Sequence, residues 1–460
     1  MRYELKKAWV PHRVCHIAHH HRLRIVLFII GTLLSTISLV TTYPVESWSS
    51  EADPSNHSLA VEWGGHVRGR ASVSWPDDES ALGSLETGPY YDGSGEFRLK
   101  NKVFFGDWGY FETHYETILS GGDTRRAAKS LAQLYPGLFT GPAGPPNDDL
   151  RVMGLTGVLD EDDDYILYHR LDRFSLTVQP EWGTIRIGRQ VLTWGNGLLF
   201  NPMDLFNPFA PTDVERDYKV GDDMVTTQFR VDRIGDFQLL YVPRRDPASH
   251  DVAWDESSLA GKWHFAAGTT EFDVMGARHY RDYVVGLGST GFLGDTAWRM
   301  DATWTFLNEE SNEDGFLSLV ANMDYSWDWS GKNMYGLIEF YFNGLGNDDY
   351  SEALADRDIV ERLERGEIYT IGRAYLAGQV QMELHPLFNA YLGVISNLAD
   401  PSGIFQPRAI WDIDQDVQMT FGGNIYCGGT GTEYGGFEIP GTNFLNKPSN
   451  NAFLWLTYFF

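Results

Sequence analysis

From Leu59 to Trp75, apolar and polar side chains alternate along the chain with a period of two. One parity carries apolar and aromatic residues, and the other carries residues such as Glu62, His66 and Arg68. Since successive side chains of a strand point to opposite faces, this segment predicts a strand with one apolar and one polar face. Strands of soluble sheets usually have about 3 to 10 residues, so a run of this length is more typical of a membrane barrel.

The same alternation recurs further along the chain. It is found in 298–306, 317–327 and 374–384, and aromatic residues gather at strand ends, as in 325–329. Aromatic girdles of this kind mark the levels at which a bilayer meets water. Mean hydropathy is −0.29, whereas helical membrane proteins need apolar stretches of about 20 residues. The sequence therefore predicts membrane-spanning strands rather than helices.

Tight and long connections alternate between these strands. Gly, Asn and Asp, which favour hairpin turns, occur in tight connections near 106, 182, 234, 268, 294, 331, 386 and 415. Long polar stretches occupy 76–94, 121–163, 195–222, 244–254, 307–315, 344–368, 397–404 and 427–449, while the outer connection near Tyr280 is short. We predict an all-β fold, a transmembrane antiparallel up-and-down β-barrel of about eighteen strands (alternatively sixteen), with short periplasmic turns and long extracellular loops.

The two ends of the chain predict its location. Residues 1–52 combine a basic stretch with an apolar run from Ile25 to Val40, which predicts a signal peptide and a short N-terminal segment; an uncleaved inner-membrane anchor is the alternative. Residues 53–460 then form a single barrel domain. The last strand resembles the signal that the barrel-insertion machinery reads, through Leu454, Leu456, Tyr458 and Phe460. We therefore expect the outer membrane of a Gram-negative bacterium, in contact with lipid and lipopolysaccharide.

Charge and cysteine content exclude several classes of function. The formal net charge of −27 argues against nucleic acid as a partner. The only cysteines are Cys15 and Cys427, without a haem or zinc motif, and no hydrolase motif stands out. We expect no enzyme activity and no cofactor. The acidic run 160–164, with Asp162, Asp163 and Asp164, weakly suggests Ca²⁺ or Mg²⁺, but it lacks the ligand spacing of an EF-hand, and a solvated loop is the simpler interpretation.

Three short motifs carry a resemblance to a known family. They are 170–174 (RLDRF), 187–190 (IGRQ) and 194–197 (WGNG), and the similar region extends to the NPFAP segment at 207–211. Here the chain resembles porin-like barrels of the alginate-export type and related uncharacterised porins. Membership would imply an eighteen-stranded barrel that passes a polar or anionic solute. The acidic overall charge departs from the basic lumen expected of alginate exporters, so alginate itself does not fit.

The polar faces of the predicted strands supply candidate pore-lining residues. These are Glu62, His66, Arg68, Arg70, Arg98, Lys100, Glu112, His114, Arg186, Gln190, Arg299, Asp301, Asp324, Glu339 and Glu383. Basic residues concentrate in the first third of the chain, and such an arrangement favours a transverse field that orients polar solutes. Mutual pairing of these charges is the alternative. Arg189 has the opposite parity to Arg186, so one of the two faces outward unless a bulge shifts the register.

The Pro- and Asn-rich stretch after the WGNG motif does not predict a strand. Asn196, Asn201, Asp204 and Asn207 lie in it as candidates for a constriction loop, and an external cap is the other placement. The sequence as a whole predicts a channel for passive or selective passage of small polar solutes. A plugged barrel that binds a partner, or has a structural role, and a polysaccharide exporter are the alternatives. The solute and the oligomeric state do not follow from the sequence.

Overall fold

A computed structural model describes residues 59–136, 139, 141, 144–208, 219–311 and 313–460. The predicted signal peptide lies outside these residues. In chain order the strands are β1 Leu59–Trp75, β2 Tyr90–Phe105, β3 Gly109–Gly122, β4 Thr156–Glu161, β5 Tyr165–Val178, β6 Gly183–Gln190, β7 Asp222–Val231, β8 Gly235–Val242, β9 Ser258–Ala267, β10 Thr270–His279, β11 Asp282–Leu293, β12 Thr296–Phe306, β13 Gly315–Trp329, β14 Lys332–Asn343, β15 Ala374–His385, β16 Phe388–Asn397, β17 Gly403–Asp414, β18 Val417–Cys427, β19 Phe437–Glu438, β20 Leu445–Asn446 and β21 Asn450–Phe459.

Eighteen of these strands close into an antiparallel barrel. Consecutive barrel strands pair, and closure comes from β21, which pairs with β18 on one side and with β1 on the other. β4 extends the sheet beside the outer half of β5, and β19 and β20 form a small hairpin in the last long loop. The predicted fold class and the count of eighteen are confirmed. Closure leaves no sheet edge exposed to lipid.

The two parities of each strand face opposite sides of the barrel wall. On β11, Val285 and Leu287 are half-exposed or more on the outer face, whereas Val284 and Gly288 are buried on the inner face. The same division holds on β12, where Met300 and Trp304 are outward and Asp301 is inward. The barrel thus presents an apolar surface outside and a largely polar one inside, as a membrane-spanning sheet requires.

Short turns and long loops lie at opposite ends of the barrel. The turns at Gly268 and Gly294 have φ of 68° and 63°, in the left-handed region that glycine adopts most easily. At the other end, β10 and β11 are joined by the short connection at Tyr280, whose φ is 53°. The predicted alternation of connections is confirmed, and the long loops hold the helices.

Within the described residues, three α-helices lie in the long loops: α1 Asp123–Leu134, α2 Tyr350–Ala353 and α3 Arg357–Arg365; a 3-10 helix, Gly106–Trp108, forms one short turn. The Asp356 side chain caps α3 by accepting bonds from the backbone N–H groups of Asp358 and Ile359. In the described part of the chain, no helix is long and apolar enough to cross a membrane.

Candidate functional site

Residues 191–208, here called the inner loop, follow β6 and lie against the inner wall of the barrel. The chain turns at Gly195, which has φ of 88°. A Cβ at this position would lie 2.1 Å from Asn201 Oδ1 and 2.9 Å from Asp301 Oδ2, so glycine is required for both conformation and space. The sequence is compatible with an inward loop and with an external cap, and the loop lies inward.

Asp301, on the inner face of β12, holds the start of the loop. Its carboxylate accepts the backbone N–H of Asn196 at 2.5 Å and the Asn196 side-chain amide at 2.8 Å. Asp301 is 1% exposed. Hydrogen bonds to a buried ionised group are stronger than those between neutral groups, so this pair fixes the loop across the barrel interior.

Glu339, on β14, holds the middle of the loop. Its carboxylate accepts the consecutive backbone N–H groups of Leu198, Leu199 and Phe200 at 2.7, 3.0 and 2.6 Å. Asn322 on β13 donates to Glu339 at 3.0 Å and to the carbonyl oxygen of Asn196 at 3.2 Å. Three strands therefore supply polar side chains that satisfy the backbone of an irregular segment, as burial requires.

Apolar packing holds the loop on the β7–β11 side. Trp194, Met203 and Phe206 are buried in one cluster with inward residues of those strands, including Met224 and Met275. The Trp194 indole donates to Gln238 on β8 at 2.6 Å. The buried indole thus has its partner, and the loop covers this part of the wall.

A second apolar contact lies on the β14–β15 side. The Phe200 ring stacks on Tyr341 at a centroid distance of 4.4 Å and an interplanar angle of 6°, and on Tyr375 at 5.7 Å. These rings belong to a buried cluster inside the barrel. Stacked pairs add about 0.5–1.5 kcal/mol to the burial of the rings themselves. The inner loop therefore packs along the wall from β7 to β15.

The two ends of the loop are joined at its base. The Asn207 side chain accepts from the Leu192 backbone N–H at 3.0 Å and donates to the Val220 carbonyl at 3.1 Å. The ammonium of Lys219 donates to the carboxylate of Asp204. Burial raises the pKa of Asp204 to about 7, despite this cation.

A buried ionic network, here called the wall network, lies on the inner face of β2, β3 and β5. Arg98 contacts Glu116 at 2.5 Å and Asp172 at 2.7 Å, and all three side chains are nearly inaccessible. Arg170 pairs with Glu116, and Arg173 with Asp172 at 2.5 Å. A register shift beside Asp172 brings Arg170, Asp172 and Arg173 to this network, because a bulge changes which parity faces inward.

Sequence reasoning missed the part of this network that β5 supplies. Arg98 and Glu116 lie on the polar parity of their predicted strands, whereas Arg170, Asp172 and Arg173 are not among the residues expected in the lumen. The last three lie within the motif that carried the family resemblance. One signal in the sequence could have found them, because β5 carries charged residues on both parities. A membrane barrel tolerates this only when a bulge turns a charged side chain inward or a partner neutralises it.

Cation–aromatic pairs occupy part of the remaining inner wall. The Lys102 ammonium lies 3.9 Å from the Tyr110 ring centroid, and the Arg70 guanidinium 4.7 Å from that of Trp455. Arg408 lies 4.8 Å from the Tyr391 ring centroid. Arg70, which the sequence places on the polar face of the first strand, thus rests on an aromatic ring.

The sequence-predicted pore residues divide into buried and partly exposed groups. Six are buried on the inner wall: His66, Arg68, Arg98, Gln190, Asp301 and Glu339. Eight retain some exposure: Arg70, Lys100, Glu112, His114, Arg186, Arg299, Asp324 and Glu383. Glu62 is exposed near the start of β1. Several pair with one another or with neighbouring charges, such as His66 with Glu96 at 2.9 Å and Arg299 with Asp324 at 2.6 Å.

Arg186 and Arg189 have opposite parities on β6, and both have polar partners. The Arg186 guanidinium donates to Thr177 and to the Tyr110 hydroxyl on the inner face. Arg189 is buried against Asp223 at 2.8 Å and Asp148 at 3.0 Å, where a long loop covers the end of β6. Neither arginine is exposed to lipid.

The acidic run serves as a contact for α1. Asp163 pairs with Lys129 at 2.7 Å, Asp164 with Arg126 at 2.5 Å, and Glu161 with Arg125 at 2.6 Å. Among the residues that the structure describes, no cluster of His, Cys, Asp and Glu is arranged to hold a metal ion. Of the weak metal candidates, Asp162 and Asp163 are exposed and Asp164 is half-buried.

The final strand closes the barrel. Leu454, Leu456, Tyr458 and Phe460 share the parity of the outer face, and the Phe460 backbone exchanges hydrogen bonds with Gly65 at 2.8 and 3.1 Å. The Phe460 ring also stacks with Phe97 at 6.2 Å. These contacts place the strand where the insertion signal was predicted; recognition by the insertion machinery stays a prediction.

No family model and no curated protein matches the sequence. Among solved structures, OccAB2 of Acinetobacter baumannii matches with a TM-score of 0.50 and 9% identity, over 86% of this chain and 98% of that one. OccAB3 of the same organism matches with a TM-score of 0.50 and 8% identity, over 87% and 99%. A BenF-like porin from Pseudomonas fluorescens has a TM-score of 0.47 and 9% identity, over 87% and 98%. At these identities the likeness is one of fold.

The closed barrel with its apolar outer face is a transmembrane β-barrel of the kind found in bacterial outer membranes. Eighteen antiparallel strands leave every strand paired, and exposed aromatic residues such as Trp63 and Trp329 lie near the short-turn end of the wall. Only a bilayer matches an apolar surface of this extent. The expected location in the outer membrane of a Gram-negative bacterium is thereby supported on the barrel's own features.

Proposed function

We propose that this barrel is a channel for small polar solutes, narrowed by the inner loop. The observation that carries the proposal is the fixation of residues 196–200 by Asp301 and Glu339 on the inner wall. A barrel that served only as a scaffold would gain more stability from apolar side chains at these positions, because a buried carboxylate is costly to desolvate. The use of two buried carboxylates to hold an irregular segment inside the lumen therefore favours a constriction of the channel.

The inner wall supports polar rather than apolar solutes. Lys102, Arg186 and Glu112 retain exposure on one side of the interior, and Asp324 and Glu383 on the other. A cavity of about 460 Å³ at the short-turn end is lined by Tyr335, Gln381 and Glu383, among others. This cavity lies on one side of the wall, at β13, β14 and β15, whereas charged groups on facing walls of a lumen orient hydrated solutes.

Conductance of the purified protein in a planar lipid bilayer tests the proposal. We expect discrete, stable current steps after insertion. Persistent silence from protein that is shown to be folded, by its heat-modifiable migration in SDS gels, would instead favour the plugged, partner-binding barrel. Polysaccharide export predicts conductance as well, and blockage of the current by an added anionic polysaccharide would distinguish it from passage of small solutes.

A further inference from the structure

We infer that residues 428–449, here called the outer lid, form a gate over the long-loop end of the barrel, held shut by Glu433. This inference rests on the proposed channel function and adds a second, movable barrier to the fixed inner loop. The outer lid follows β18, contains β19 and β20, and leads into β21. It is fastened on two sides of the barrel mouth.

Glu433 forms the first fastening. Its carboxylate accepts the Ile371 backbone N–H at 2.7 Å and the Tyr375 hydroxyl at 2.6 Å. It also accepts the Asn397 side-chain amide at 2.7 Å. Glu433 is 7% exposed. One side chain of the lid is thus held by the loop before β15, by β15 itself and by the end of β16.

Asp400 extends this fastening to the next loop. Its carboxylate accepts the Glu433 backbone N–H at 2.9 Å and the Tyr350 hydroxyl at 2.6 Å. The Tyr350 ring packs against Phe437 of the lid at 5.3 Å. The α2 helix, the β16–β17 loop and the lid therefore meet around two carboxylates.

The second fastening lies towards β1 and β2. The Leu445 backbone N–H donates to the Glu79 carbonyl at 3.0 Å, and the Lys447 ammonium contacts Asp77 at 2.5 Å. β1 and β15 are separated along the sheet by β16, β17, β18 and β21. A segment that is bound at both places crosses a sector of the barrel mouth.

Below Glu433, the lid reaches the apolar cluster that holds the inner loop. Tyr434 is buried in the same cluster as Phe200 and Tyr375. The lid therefore packs directly on the buried rings against which the inner loop rests.

The structure also explains why this fastening is reversible. The bonds of Glu433 are hydrogen bonds that join the lid to the loop before β15, to β15 itself and to the end of β16. Exchange of such bonds for water costs far less than rearrangement of the barrel strands. A lid that opens about its second fastening, at Leu445 and Lys447, leaves the barrel wall intact.

Single-channel recording of the full chain, combined with hydrogen–deuterium exchange of the lid, tests the inference. Glu433→Ala removes all four hydrogen bonds that this carboxylate accepts, together with its charge. Glu438→Gln is the matched control, because Glu438 lies in the same segment with an exposed side chain. We expect Glu433→Ala to speed exchange in 428–449 and to raise the open fraction about tenfold or more, since each bond to a charged group changes an equilibrium by about that factor. The control should match the wild type in both.

Each other outcome overturns one part of the account. If exchange in the lid increases while wild type and Glu433→Ala conduct equally, the lid is not a gate and the channel function stands. If exchange in the lid is unchanged, Glu433 does not hold it. If the lid is released but neither protein conducts, the proposed channel function itself fails. Heat-modifiable migration of both variants confirms that the barrel is folded in each case.

Discussion

The Asp301 carboxylate binds Asn196 at two points, its backbone N–H at 2.5 Å and its side-chain amide at 2.8 Å, across 105 residues of sequence. The two oxygens of one buried side chain thus replace the water that an irregular loop would otherwise need. This relationship converts a Pro- and Asn-rich connection into a fixed part of the barrel interior.

A double-mutant cycle measures this relationship. Asn196→Ala removes only the side-chain bond, and Asp301→Asn removes the charge. Since bonds to charged groups contribute about 1.5–3 kcal/mol, we expect a coupling free energy of that order between the two positions. Urea-induced unfolding in lipid vesicles gives the four free energies, and a coupling near zero would mean that the pair does not hold the loop.

Phe200 and Leu198 provide a matched comparison within the inner loop. Phe200 is 5% exposed and stacks on Tyr341, whereas Leu198 is 41% exposed. We expect Phe200→Ala to destabilise the fold by about 3–5 kcal/mol, because it leaves a cavity. Leu198→Ala should change the unfolding free energy by less than about 0.5 kcal/mol. Equal effects in an unfolding titration would contradict the packing described for Phe200.

The raised pKa of Asp204 predicts a dependence of stability on pH. The carboxyl has an ordinary pKa near 3.8 when unfolded and about 7 when folded, so between these values the folded protein holds a proton that the unfolded chain has lost. The contribution of Asp204 to the free energy of unfolding is therefore fully present below about pH 4. It declines as the pH rises through 7, by at most about 1.4 kcal/mol per pH unit. Unfolding free energies of wild type and Asp204→Asn should diverge over this window; parallel curves would be the contrary result.

The wall network predicts a large loss on removal of its central cation. Arg98→Ala leaves Glu116 and Asp172 with one cation fewer in a buried site, and breaking such a site typically costs about 3–5 kcal/mol. Arg230→Ala, at an exposed position of β7, is the control and should have little effect. Should both variants unfold at the same urea concentration, the network does not stabilise the barrel.

The repeating features of the fold follow from local sequence. Alternation from Leu59 to Trp75 defines β1, and the same period defines the other long strands, because every membrane-spanning strand must separate a lipid face from a lumen face. The strand count and the two classes of connection follow from it.

The inner loop shows where local sequence no longer suffices. Its Pro and Asn content excludes a strand, but its direction depends on Asp301 and Glu339, which lie more than a hundred residues away. Without those partners, an inward loop and an external cap have the same composition. The bulge at Asp172 is a second case, because a single register shift changes which side chains of β5 face the lumen, and the alternation of residues along the strand does not predict it.

The size limit of solute passage shows directly whether the inner loop narrows the lumen. Liposome-swelling rates for neutral sugars of increasing size compare wild type with Asp301→Ala/Glu339→Ala, with Glu181→Gln as control because Glu181 is exposed in the short turn between β5 and β6. If the inner loop narrows an open lumen, the double variant admits sugars that wild type and control exclude, and passes small ones faster. The same size limit in all three folded proteins would contradict the account.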